Sequence, residues 1–103
     1  MVCQLCQDEM PFKKRDGDYY FEAVELFGDG ANEHAVHFVA LCPLCAAMYK
    51  EFVKYDKSTS EQLKRALRTS TSNPIALQLG DKSAKLRFVE THWHDLRTLL
   101  NKE

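Results

Sequence analysis

Four cysteines arranged as two Cys-x-x-Cys pairs constrain this chain more than any other feature of its sequence. The pairs are Cys3–Cys6 and Cys42–Cys45, which have 35 residues between them and account for every cysteine in the chain. Cysteines spaced in this way form a tight turn whose backbone N–H groups point at the sulfurs, and two facing turns make a tetrahedral metal site. We therefore predict that Cys3, Cys6, Cys42 and Cys45 bind one structural zinc ion. Its closed ligand set leaves no position for a reactive water.

The same cysteines admit three other interpretations. Disulfides are disfavoured in the intracellular compartment that we expect for this chain. A redox dithiol usually has one such pair rather than two. Iron uses the same four-sulfur tetrahedral set, but a rubredoxin-like pattern would place glycine after each pair, where this chain has Gln7 and Ala46. Zinc is therefore the favoured ion.

Length and hydropathy place further bounds on the chain. With 103 residues it suits one domain, and a domain of this size gains much from a metal that crosslinks it. No apolar run approaches the roughly 20 residues of a membrane span. The first residues lack a charged segment followed by an apolar one, so we expect no secretory signal and a cytoplasmic location.

Charge is spread unevenly along the chain. Residues 1–56 carry five Lys/Arg and ten Asp/Glu, whereas residues 57–103 carry nine and five. The first half is thus acidic and the second basic, so a nucleic-acid backbone would be repelled by one and tolerated by the other. A solvated charged face is the alternative interpretation. The candidate nucleic-acid-binding residues are Lys64, Arg65, Arg68, Lys82, Lys85 and Arg87.

Hydrophobic patterning predicts an α+β fold in which residues 1–56 form a zinc lobe. Alternating aromatic and apolar residues predict a strand over 19–27, a turn over 28–32 and a second extended segment over 34–41. A helix is predicted after the second cysteine pair. Its apolar face is assigned to Met48, Phe52 and Tyr55.

Residues 57–103 are predicted to form a helix–hairpin–helix extension that packs with the first lobe as one compact domain, joined to it by a polar connector near 55–60. The first helix should span 60–69, with Ser60 as N-cap. Strands are predicted over 75–79 and 85–89. Thr91 should cap a last helix ending near residue 101, in which Trp93 anchors the local core.

Two segments of the first half resemble the HNH endonuclease family. These are Phe-Glu-Ala-Val-Glu-Leu at 21–26 and Val-Ala-Leu-Cys-Pro-Leu-Cys at 39–45, separated by a Gly/Asp-rich turn and followed by a helix. Zinc-knuckle members of that family have this order, and the resemblance implies a treble clef, a zinc-stapled β-hairpin plus helix. It covers about half of the chain and adds nothing specific beyond Ser60.

The catalytic pattern of that family is missing here. Its strand pair of ligand and general base falls on Val24 and Glu25, its central Asn on His37, and its two later histidines on Ala46 and Lys50. Valine and alanine neither bind metal nor transfer protons. The resemblance therefore implies a degenerate domain that kept its zinc and lost its active site.

Three functions remain open from the sequence. The first is a non-catalytic zinc module that docks to a protein or within a larger restriction, repair or defence assembly, with these residues forming a piece of a longer chain. The second is a nucleic-acid-binding zinc domain that uses the basic second half. The third is an HNH-type nuclease that uses Glu25 and His37. No small-molecule substrate is evident.

A few other residues admit both a functional and a structural interpretation. His34 or His37 could hydrogen-bond a zinc-bound sulfur, although structural histidines are the simpler expectation. The aromatic run at 19–21 could stack on bases, although aromatic residues on a strand usually belong to the core. His92 and His94 should point in different directions on a helix and not share a metal.

Overall fold

The computed structural model describes residues 1–27, 37–69 and 73–101, and within them the chain is α+β, as predicted, with three helices and two two-stranded sheets. The predicted turn at 28–32 and His34 lie outside this part. None of the helices in the described ranges is both long and apolar enough to cross a membrane.

Strands β1 (Glu22–Glu25) and β2 (Phe38–Leu41) form the first sheet. They pair antiparallel, with Val24 opposite Val39, and both valines are buried. Strand β1 is shorter than the predicted 19–27. The residues before it form a separate hairpin over 12–20, in which the Tyr20 N–H donates to the Phe12 carbonyl at 2.9 Å.

Helix α1 (Pro43–Tyr49) follows β2 directly and continues as a π-helical turn over Lys50–Lys54. Proline suits the first position of a helix because its missing N–H is not needed there. The inward side chains are Tyr49 and Val53, both fully buried. The predicted inward face was wrong at Phe52 and Tyr55, which are 40% and 70% exposed.

Helix α2 (Lys57–Thr69) begins three residues before the predicted start. The predicted cap, Ser60, lies within the helix, and the carboxylate of Asp56 instead accepts the Thr59 N–H at 3.3 Å. Aspartate in this position satisfies an N–H group that has no partner within the helix. Leu63 and Leu67 are buried, as the pattern predicted.

Strands β3 (Ile75–Leu79) and β4 (Lys82–Leu86) form the second sheet. The predicted β3 is confirmed, but β4 begins three residues earlier than expected. The turn needs only two residues because Gly80 adopts φ +67°, which a side chain would disfavour.

Helix α3 (Glu90–Leu100) ends the described chain. Its N-cap position is Val89, without a side-chain cap, rather than Thr91. Leu96 and Leu100 are buried, and Trp93 packs against the core from the edge.

Helices α2 and α3 are joined at their C-terminal ends by two arginines. Arg97 donates from Nε to the Leu67 carbonyl at 3.1 Å and from a terminal nitrogen to the Arg68 carbonyl at 3.4 Å. Arg68 in turn donates from Nε to the Leu100 carbonyl at 3.3 Å. Each guanidinium thus lies at the negative end of the other helix, where a cation is stabilised.

Candidate metal centre

The first cysteine pair lies in a tight turn near the start of the chain. The Cys3 carbonyl accepts a hydrogen bond from the Gln7 N–H at 3.0 Å, and the Cys3 N–H donates to the Asp8 carbonyl at 2.9 Å. The backbone N–H groups of Leu5 and Cys6 point at the Cys3 Sγ, at 3.4 and 3.5 Å. This is the backbone arrangement expected for a metal-binding Cys-x-x-Cys turn.

The second cysteine pair joins strand β2 to helix α1. Cys42 occupies the N-cap position, and the Ala46 N–H donates to its carbonyl at 2.8 Å. Cys45 lies in the first turn of the helix and is buried. The strand and the helix therefore fix the positions of the two sulfurs.

The two turns bring all four sulfurs together. Every Sγ of Cys3, Cys6, Cys42 and Cys45 lies within 4.8 Å of the others, and all four cysteines are free thiols. Around a tetrahedral zinc with Zn–S of about 2.3 Å the sulfurs would lie about 3.8 Å apart. The cluster is thus close to the geometry of a bound ion. Within residues 1–27, 37–69 and 73–101 no second group of three or more His, Cys, Asp or Glu side chains is arranged to hold a metal.

The electrostatics of the cluster favour a cation. Burial opposes the charged form of Cys3, but N–H groups of Cys6, Cys42 and Leu5 outweigh it and hold the pKa of that thiol below its usual value of 9.0. Burial and the nearby Cys3 raise the pKa of Cys6 to about 11, and they also raise the pKa of Cys45. One thiolate forms readily, whereas several need a positive ion among them.

The donor set fits zinc, and it also fits iron. Gln7 adopts φ +67°, the left-handed conformation that glycine favours after such a turn. The missing glycine therefore does not separate the two metals at this position, because Gln7 has the backbone that a glycine would have. Ala46 is helical and needs no glycine. What the geometry establishes is a four-sulfur site able to hold a metal ion.

Gln4, inside the first turn, connects the site to both halves of the chain. Its N–H donates to the Ala40 carbonyl at 3.0 Å, and its side-chain Oε1 accepts the Ala40 N–H at 2.8 Å. Its carbonyl accepts the Arg87 N–H at 2.8 Å, and its Nε2 donates to the Arg87 carbonyl at 3.0 Å. Sequence analysis did not single out Gln4, because a glutamine between two cysteines carries no pattern that predicts these partners.

Glu25 and His37, the candidate nuclease pair, do not form a common site. Glu25 lies opposite Phe38 across the sheet, and Leu26 lies opposite His37, to which it donates a hydrogen bond at 2.8 Å. Neighbours along a strand point to opposite faces, while residues directly opposite share one. Glu25 and His37 therefore lie on opposite faces of the hairpin. His37 lies on the buried face, 1% exposed.

The six basic candidates are distributed over several surfaces. Lys64 lies 5.3 Å from the centre of the Phe27 ring, and Arg68 bonds the end of α3. On β4, Lys82 and Lys85 are an odd number of residues apart and so project from different faces. Arg65 and Arg87 are exposed.

The aromatic run and the C-terminal histidines also have clear positions. Tyr19 and Tyr20 are half-buried, whereas Phe21 is exposed. His92 contacts Phe88 edge-on, with ring centres 5.0 Å apart, whereas His94 is exposed. The two histidines thus point in different directions, as expected.

The cleft between the π-helical turn, α2 and β3 lies apart from the cysteines. It has a volume of about 520 Å³, and among the described residues that line it Asp56 alone is ionisable.

Comparison of the chain with protein-family models, with curated proteins and with solved structures found no match.

Proposed function

We propose that this chain is a non-catalytic zinc-binding module, a degenerate HNH-like treble clef that docks to a protein partner or within a larger assembly. The observation that carries the metal part is the gathering of all four cysteine sulfurs within 4.8 Å. Four thiolates complete a tetrahedral sphere, so the ion would act as a crosslink rather than as a Lewis acid toward a substrate.

The order of elements around the cysteines supports the treble-clef assignment. The first Cys-x-x-Cys turn precedes the β1–β2 hairpin, and the second leads from β2 into α1. The separation of Glu25 and His37 on opposite faces supports a non-catalytic role, because a hydrolytic metal site needs its ligands and base on one surface.

The metal is tested by native mass spectrometry with elemental analysis, before and after a chelator. We expect one zinc per chain, released only as the chain unfolds, because structural zinc contributes roughly 10–16 kcal/mol of apparent binding in peptide modules. The Cys45→Ser variant should lose the metal and the fold, and a Ser60→Ala variant serves as the control. Detection of iron in place of zinc would mean that the four cysteines bind iron. A metal-free chain two or four hydrogens lighter would mean disulfides and refute the site.

The non-catalytic role and the docking role are tested separately. Metal-loaded protein should leave plasmid and linear DNA intact with Mg²⁺ or Mn²⁺, and cleavage that Glu25→Ala or His37→Ala abolishes would restore the nuclease. Docking predicts a partner that co-purifies from the native setting and is lost in Cys45→Ser. A partner held equally by that variant would not depend on the zinc fold.

A further inference from the structure

The hairpin of residues 12–20 exposes aromatic rings to solvent. The rings of Phe12 and Tyr20 stack with their centres 5.0 Å apart and their planes 12° from parallel. Phe12 is 52% exposed, and Phe21, which follows directly, is 42% exposed. A buried core explains neither ring. The part of the Phe12 ring that Tyr20 does not cover and the exposed part of Phe21 are therefore available to a flat, apolar group of a ligand.

Cations lie beside these rings. Three of the five Lys/Arg of residues 1–56 are consecutive, at Lys13, Lys14 and Arg15, and all three are exposed. Lys13 holds its Nζ 4.9 Å from the centre of the Tyr19 ring. Against Asp16 and Asp18 of the same turn these three cations leave a net charge of +1 beside the ring stack, although the first half of the chain is acidic. Salt screens distant charges beyond about 10 Å at 0.1 M, so the local charge dominates what a ligand meets.

The turn pairs Asp16 with Lys14, a pair that a phosphate would have to compete with, while no acidic partner of Arg15 is found among the described residues. The Asp16 carboxylate accepts the Asp18 N–H at 2.9 Å and lies 3.5 Å from the Lys14 Nζ. Gly17, at φ +93°, completes the turn, and the Lys14 N–H donates to the Asp18 carbonyl at 2.7 Å. These bonds define the turn that places residues 13–15 beside the rings of the hairpin.

We propose that the hairpin of residues 12–20, together with Phe21, binds single-stranded nucleic acid. Bases stack on the Phe12–Tyr20 pair and on Phe21, while Lys14 and Arg15 contact phosphates. Aromatic platforms beside cations are the usual means of binding single strands. A duplex keeps its base faces stacked inside, so only its backbone would meet this surface. Binding of single-stranded nucleic acid here does not depend on which metal the cysteines hold, since no cysteine belongs to the hairpin.

The test uses fluorescence anisotropy of metal-loaded protein with a labelled oligothymidylate of about 15 nucleotides, matched to known site sizes. Phe12→Ala should weaken binding roughly 5- to 150-fold, the range for one lost base stack. Tyr55→Ala removes an aromatic ring of even greater exposure, 70%, elsewhere on the surface and should leave affinity unchanged. Duplex of the same length should bind more weakly than the single strand.

Charge removal gives a second readout. The double substitution Lys14→Gln with Arg15→Gln should reduce the slope of log affinity against log salt by about 1.4, the value for two single-strand phosphate contacts. Lys57→Gln is the control on another surface. Metal content and melting temperature establish that each variant is folded. If Phe12→Ala unfolds, the charge variant and a conservative Phe12→Tyr, which should keep binding, decide the matter.

Three results would overturn the proposal. Oligothymidylate that fails to bind even at low salt would do so. The proposal would also fail if Phe12→Ala left binding unchanged while Arg65→Gln or Lys85→Gln abolished it. That result would assign the nucleic-acid site to residues 57–103. Loss of a protein partner in Phe12→Ala, with no strand binding by the parent chain, would identify the hairpin as a protein-docking surface. None of these results bears on the proposed metal site, which mass spectrometry tests separately.

Discussion

The buried hydroxyl of Tyr49 connects helix α1 to Leu26, the residue just after strand β1, and its removal should destabilise the fold. Tyr49 is 0% exposed, and its hydroxyl donates to the Leu26 carbonyl at 2.7 Å. Tyr49→Phe keeps the ring and removes this one donor. A buried carbonyl that loses its donor costs about 1–3 kcal/mol. In a domain of this size, each kcal/mol lowers Tm by roughly 4–8 °C.

The effect should depend on pH in a defined direction. Burial raises the pKa of the Tyr49 phenol well above its usual value of 10.0. Above about pH 10 the unfolded chain therefore loses this proton while the folded chain keeps it, and unfolding becomes easier by up to about 1.4 kcal/mol per pH unit. Tyr49→Phe lacks this proton. The advantage of the parent chain is full below pH 10 and should shrink above it.

Urea unfolding of metal-loaded protein between neutral pH and pH 11 measures both effects. Tyr55→Phe is the matched control, because Tyr55 is 70% exposed, and its free energy of unfolding should stay within about 0.5 kcal/mol of the parent. A Tyr49→Phe protein as stable as the parent at neutral pH would refute the role of the hydrogen bond. A stability difference that stays constant above pH 10 would refute the buried-phenol argument.

Two further substitutions test local geometry by thermal or urea unfolding. Gln7→Gly should be more stable than Gln7→Ala by about 1–2 kcal/mol, because φ is +67° there, and equal stabilities would argue against the left-handed turn. Arg97→Ala should cost about 1–2 kcal/mol through the carbonyls at the end of α2, whereas the exposed Arg65→Ala should cost less than about 0.5. A double-mutant cycle with Arg68→Ala should show coupling between the two arginines, and strict additivity would mean that they act separately.

Local patterns predicted much of the fold, and tertiary contacts decided what they missed. Leu63 and Leu67 form an apolar stripe on α2, and apolar residues alternate along β3. Each pattern can be buried only against the core. The sequence predicted Ser60 as the cap of α2, whereas Asp56 has that role in the structure. A cap contributes only about 1 kcal/mol, so packing of α2 against the preceding helix can determine which residue becomes the cap.

The orientation of the helical segment that contains Cys45, made of α1 and its π-helical turn, is the clearest miss, and the position of Cys45 explains it. The sequence contains two stripes of apolar side chains, one through Phe52 and one through Tyr49 and Val53. Cys45 must face the other cysteines, and positions four and eight residues later then face inward too. Treating Cys45 as part of the helix face would therefore have selected the correct stripe.

The cysteine cluster was predictable because its spacing encodes a local turn, whereas its connection to the rest of the chain was not. Gln4 makes four hydrogen bonds that join the first turn to Ala40 in β2 and to Arg87 just after β4. Those partners are distant in sequence, and a glutamine side chain carries no pattern that predicts them. Gln4 follows Cys3 directly, so a metal ion that orders the cysteines would also order Gln4. Through Arg87, Gln4 would then hold the second sheet in place. Loss of the metal should therefore loosen both halves of the chain together, and the two predicted lobes should unfold as one unit.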